Sequence, residues 1–158
     1  MPSFEHHGAR IYYEEFGRGF PILTFAPAGL QSTIAVWSQP SAPINPTTEI
    51  ADKFRVIAMD QRNAGGQSRA PITARDGWHS YTADHIAVLD HLHIDRCHLY
   101  GQCIGGSFIL NMLKHHPERV QSAAKGISSK PLVGAALRAA WSMSMRARSA
   151  TGTCRWPG

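Results

Sequence analysis

The segment Gly101-Gln102-Cys103-Ile104-Gly105-Gly106 constrains this chain more than any other stretch. It stands between a short apolar run, Cys97 to Tyr100, and a helical pattern, Ile104 to His116. A strand, a sharp glycine-flanked turn and a helix push one side chain into the open above the end of a sheet. Here that side chain is Cys103. Gly101 and Gly105, two residues before and two after it, leave room for the tight turn and for a helix packed close behind it.

The rest of the pattern agrees with a sheet built around that turn. Phe4 to His6, a His7-Gly8 turn and Arg10 to Glu14 read as a hairpin. Pro21 to Ala26 is an apolar run, which suits a strand buried on both faces, and Phe54 to Met59 reads as another buried strand. Residues 31–48 are rich in Ser, Thr, Pro and Ala and read as irregular, with a short helix from Thr47 to Lys53. Ser80 to Leu92 reads as a helix capped by Ser80 or Thr82, and its His85, His91 and His93 are expected at the surface or the core boundary. Ile104 to His116 is apolar nearly all round, which predicts a buried helix ended by Pro117. Val120 to Ala124 is a weak strand. Alternating strands and helices give an α/β class with a mainly parallel sheet.

Charge divides the chain. Residues 1–124 hold ten Lys and Arg against eleven Asp and Glu, whereas residues 125–158 hold six basic residues and no acid. The net charge of +5 therefore lives in the tail and does not describe a nucleic-acid-binding face. We expect residues 1–124 to form one structural unit and 125–158 to be a poorly patterned tail outside the core. No run reaches the roughly 18 apolar residues of a membrane span. Three cysteines and no apolar leader point to a reducing, cytoplasmic setting. No C-x-x-C or paired His spacing predicts a metal, and the glycine spacing around Cys103 does not fit a dinucleotide, so no cofactor is expected. Nothing in the sequence sets an oligomeric state.

Four landmarks in order make residues 4 to about 122 resemble the α/β-hydrolase superfamily, in its esterase, lactonase and peptidase-like branch. They are the hairpin ending Glu14-Glu15-Phe16-Gly17, the loop Phe25-Ala26-Pro27-Ala28-Gly29, the segment Asp60-Gln61-Arg62-Asn63-Ala64-Gly65, and the turn at Cys103 followed by His116-Pro117-Glu118-Arg119-Val120. The spelling Gly-x-Cys-x-Gly-Gly is similar to that of dienelactone hydrolases. The resemblance implies a doubly covered, mainly parallel sheet. It also implies Cys103 as an acyl-transfer nucleophile, with an oxyanion hole from the backbone N–H of Ile104 and of Gly29 or Leu30. Pro27 replaces the His usual in the oxyanion loop, which matters little where the donors are backbone groups. Asp60 and Arg62 are expected to hold their loop structurally.

The same resemblance calls for an acid and a His downstream of the nucleophile. No His follows His116, and no Asp or Glu follows Glu118. Among the histidines present, His115 and His116 lie roughly 18–20 Å beyond Cys103 by helical rise, and His98 lies roughly 16 Å back along a strand. His79 is the one whose placement the sequence leaves open. The expectation is a C-terminally incomplete hydrolase acting weakly, if at all, on small ester, lactone or thioester substrates. Two alternatives stand beside it: a non-catalytic small-ligand-binding module of the same fold, and a redox-sensitive thiol at Cys103.

Overall fold

The computed structural model describes residues 2–40, 42 and 44–126. The expectations for the rest of the tail lie outside the described residues. Nine elements follow one another: β1 (Ser3–His6), β2 (Ala9–Phe16), β3 (Phe20–Phe25), α1 (Pro46–Glu49), β4 (Phe54–Met59), α2 (Trp78–His91), β5 (Cys97–Gln102), α3 (Gly105–His115) and β6 (Val120–Gly126), with short 3-10 turns at Gly29–Gln31, Ile34–Ser38 and Pro117–Arg119.

The six strands form one sheet in the order β1-β2-β4-β3-β5-β6. β1 and β2 pair antiparallel, as do β2 and β4. β4, β3, β5 and β6 run parallel. The apolar runs explain why the parallel part lies in the middle. Along β4, Val56, Ile57, Ala58 and Met59 are all buried, and they alternate between two hydrophobic clusters. Ile22 and Leu23 on β3, and Leu99 and Tyr100 on β5, do the same. A strand with period-two side chains and both faces covered needs no polar face at all. Each fully buried aliphatic side chain here contributes about 1.5–3 kcal/mol.

α2 and α3 cover one face, where Val88, Leu89, Phe108, Ile109 and Met112 meet Leu23, Phe25, Ile57 and Leu99. Val36, Trp37 and Ile44 cover the other, against Val56, Ala58 and Tyr100. α3 departs from the expectation of a helix buried all round: Leu110 is 67% exposed and Leu113 39%. Only the stripe through Phe108, Ile109 and Met112 meets the sheet. α2 begins at Trp78, two residues earlier than its sequence pattern indicates. Asp76 supports that start by accepting a hydrogen bond from Ser80 Oγ. Thr82 does not cap the helix; its hydroxyl donates back to the Trp78 carbonyl.

Candidate active site

Cys103 lies in the turn between the end of β5 at Gln102 and the start of α3 at Gly105, and it is exposed, with φ of 51°. That left-handed conformation is costly for any residue with a Cβ and persists where the surroundings enforce it. The enforcement is visible on both sides of the turn. A Cβ on Gly101 would lie 2.8 Å from the carbonyl carbon and oxygen of Gly105, and one on Gly105 would lie 2.8 Å from the Phe25 carbonyl oxygen. The helix is thus pressed against the ends of β5 and β3 at a separation only glycine permits. Ile104 stands at the helix start, and its N–H donates to no acceptor among the described residues.

The loop after β3 approaches the same place. Ala28 and Gly29 both have positive φ, 87° and 57°. The loop is tied back by the Ser32 hydroxyl, which donates to the Ala26 carbonyl at 2.7 Å, and by the Ser32 carbonyl, which accepts from the Gln61 N–H at 3.0 Å. The N–H groups of Gly29 and Leu30, like that of Ile104, donate to nothing among the described residues. All three residues line a cavity of about 170 Å³ beside the Cys103 turn. Trp78, Tyr81 and Phe108 supply aromatic walls, with the Tyr81 and Phe108 rings 5.3 Å apart. Gln61 and Gly77 complete the lining.

The Asp60–Ser68 loop is held as expected. Asp60 accepts from the N–H groups of Ile34 and Gln67 at 2.8 and 2.6 Å. Arg62 grips Asp84 with two donors, at 2.7 and 2.8 Å, and reaches Asp76 at 3.3 Å. The hydrogen bonds it donates to Asp84 hold the guanidinium even more firmly protonated than usual. Arg62 thus anchors the loop to α2 and Asp60 ties it to the segment after β3, and neither lines the cavity.

The histidines separate clearly. His79 is exposed in the first turn of α2, His91 stacks on Phe4 at 4.4 Å, and His98 meets Ser122 Oγ at 2.7 Å through its Nδ1. None of them hydrogen-bonds Cys103, and neither does any carboxylate among the described residues. His85 corrects the surface expectation: it is fully buried, with Phe25 and Phe108 rings 4.6 and 5.1 Å away. Burial, with a smaller push from the Arg62 charge, lowers its pKa to about 3, so the ring is neutral. Its spacing to Val88, Leu89 and Leu92 carried the signal, since positions three, four and seven apart share one helix face. Gln61, between Asp60 and Arg62, and the Trp78–Tyr81–Phe108 wall had no comparable signal.

A second cavity, about 690 Å³, lies on the other side of the Asp60 loop, lined by Tyr12, Glu14, Thr33, Ile34 and Gln67 among others. It holds no strained nucleophile and no unpaired backbone donors from the Cys103 turn, so the smaller cavity is the candidate site. Among the described residues no three His, Cys, Asp or Glu side chains gather as a metal site, and no helix is long and apolar enough to cross a membrane.

A family model described as the alpha/beta hydrolase fold matches residues 31–141. A carbamate hydrolase by name, RutD of Variovorax paradoxus (strain S110), is 30% identical over 112 residues, covering 71% of this chain and 40% of that protein. The solved structure of Est816, described as an N-acyl homoserine lactone degrading enzyme, matches with a TM-score of 0.66 at 30% identity over 78% of this chain and 44% of its own. The enol-lactonase of Burkholderia xenovorans LB400 shares the fold, with a TM-score of 0.65 at 22% identity over 77% of this chain and 45% of its own. The chain spans less than half the length of these relatives. Its strand order, its strained turn after β5 and the family match over most of the described residues agree, and the chain belongs to the α/β-hydrolase family.

Proposed function

We propose that this chain carries the nucleophile and oxyanion site of a hydrolase acting on ester, lactone or thioester bonds, with Cys103 as the nucleophile. The observation that carries the reading is the exposed, left-handed Cys103 at the strand-to-helix turn. The unpaired N–H groups of Gly29, Leu30 and Ile104 stand around the adjoining cavity. Strain of this kind clusters where a side chain is held for chemistry.

In this reading the Cys103 thiolate attacks the carbonyl carbon. The carbonyl oxygen takes up the electron pair and is stabilised by the backbone donors. Collapse of that intermediate breaks the bond to the leaving oxygen or sulfur, which takes a proton from water, and a thioester remains on Cys103. Water then hydrolyses the thioester, releasing the acid and restoring the thiol. A lactone-degrading relative and one named as a carbamate hydrolase support a carbonyl substrate. The small aromatic-walled cavity suits a compact acyl group.

Acylation should outrun deacylation in this chain, because no His or carboxylate among the described residues reaches Cys103 to activate water. The same fact favours, as second reading, a module that binds small acyl compounds without turnover. Mixing the chain with excess p-nitrophenyl acetate separates the two. The hydrolase reading expects a burst of about one equivalent of p-nitrophenolate per chain followed by a slow phase, lost in Cys103→Ala. No release from the wild-type chain, or an equal burst from the variant, contradicts it and leaves the binding reading.

A further inference from the structure

Gln61 and His85 form a buried polar pair whose bonding is incomplete. Gln61 is 2% exposed and His85 0%. Gln61 Oε1 lies 2.8 Å from His85 Nε2, so the neutral ring carries its proton on Nε2 and donates it to the amide oxygen. That leaves Gln61 Nε2, with two N–H donors, and His85 Nδ1 without a hydrogen-bond partner. A buried donor left unmade costs about 1–3 kcal/mol, so such a group calls for a partner outside the protein's own bonds.

The pair is held on every side. The Gln61 backbone donates to the Ser32 carbonyl at 3.0 Å and accepts from the Ala64 N–H at 3.2 Å. The His85 ring is wedged against Phe25 and Phe108. Gln61 also lines the cavity that Gly29, Leu30 and Ile104 line, where Trp78 and Phe108 form apolar walls. The Gln61 amide nitrogen is itself buried, and a polar donor held beside a mostly apolar site is the arrangement by which such a site fixes a ligand's orientation.

We propose that the Gln61 amide is a specificity-determining donor, positioned by His85, for an oxygen on the acyl part of the substrate other than the reacting carbonyl. The ligand class is an acyl compound with a keto, ether or hydroxyl oxygen near its carbonyl, favoured over the plain alkyl analogue. The inference rests on the reading of this cavity as the substrate site. An alkyl analogue leaves the amide unpaired, which sets the discrimination at about five- to tenfold.

The test is an NMR titration of the wild-type chain, following the Gln61 side-chain amide peak, which is identified by its loss in Gln61→Leu. The probes are methoxyacetone and 2-pentanone, which has a methylene in place of the ether oxygen. The proposal expects methoxyacetone to move the Gln61 peak and to bind about five- to tenfold more tightly than 2-pentanone. His85→Phe should lower that preference towards unity. Equal affinities with a stationary peak overturn the proposal, including where a fixed water satisfies the amide. The comparison within the wild-type chain decides even if either variant fails to fold. Acylation by p-nitrophenyl acetate is scored separately. A methoxyacetone preference without acylation removes the Cys103 reaction and keeps the Gln61 assignment, whereas acylation without the preference removes the Gln61 assignment alone.

Discussion

Cys97 and Cys103 bracket one strand and its turn, and they stand in opposite environments: Cys97 is fully buried at the start of β5, and Cys103 is exposed just past its end. Burial pushes the Cys97 thiol up to about 12. Iodoacetamide at pH 8 should therefore label Cys103 in the native chain and leave Cys97 untouched until denaturant is added. Peptide mapping by mass spectrometry reads both sites. Labelling of Cys97 at the rate of Cys103 under native conditions would show that β5 is not covered as described.

The left-handed backbone at Cys103 predicts a trade between stability and chemistry. Glycine adopts φ of 51° without the Cβ penalty. Cys103→Gly should raise the unfolding free energy by about 1 kcal/mol while removing the nucleophile. Gly105→Ala should do the reverse, since its Cβ would lie 2.8 Å from the Phe25 carbonyl oxygen. A loss of about 1–3 kcal/mol is expected there from forced displacement. Urea unfolding of the three chains checks both directions.

Arg62 and Asp84 predict a large, one-sided loss. The Asp84 side chain is 1% exposed and that of Arg62 14%. Removing the guanidinium leaves a buried carboxylate with its main partner gone. Arg62→Ala should lose about 3–5 kcal/mol. Arg62→Lys should recover only part of it, because a single ammonium cannot reproduce the two-pronged contact. A loss below about 1 kcal/mol in urea melts, the range of a solvent-exposed pair, would count against the described burial.

His85 predicts a pH dependence with a definite sign. Its folded pKa is depressed to about 3, whereas an unfolded His titrates near 6.5. The unfolded chain thus binds a proton that the folded chain refuses. The stability from neutral His85 is fully present above about pH 6.5 and falls as the pH drops towards 3, at about 1.4 kcal/mol per pH unit. Between pH 7 and 5 the wild-type chain should lose about 2 kcal/mol more than His85→Phe. Parallel unfolding curves for the two chains over that range would contradict the buried, neutral ring.

Much of this frame was legible because burial leaves a period-two record. β4 reads correctly to the residue, since the run Phe54 to Met59, apolar except for Arg55, is bounded by Lys53 and Asp60. The turn at Cys103 was legible because two close backbone contacts demand Gly101 and Gly105. The start of α2 was less so: it depends on Asp76 and Ser80 meeting in space, and Trp78 and His79 carry no periodic signal. The exposure of Leu110 and Leu113 has a similar origin, because composition says that a helix is apolar and not which neighbour covers each side. Gln61 is the clearest case of what a linear reading omits. Its interest lies in an unpaired amide nitrogen, which exists only once His85 has occupied the oxygen.

The most direct test of Cys103 as an acyl acceptor is to locate the acyl group. The chain is incubated with p-nitrophenyl acetate, quenched in acid within the burst and mapped by peptide mass spectrometry. The account predicts a single acetyl thioester on Cys103, removable by hydroxylamine, with Cys97 and Cys154 unmodified. Acetyl groups spread over lysines, or none on Cys103, would contradict it.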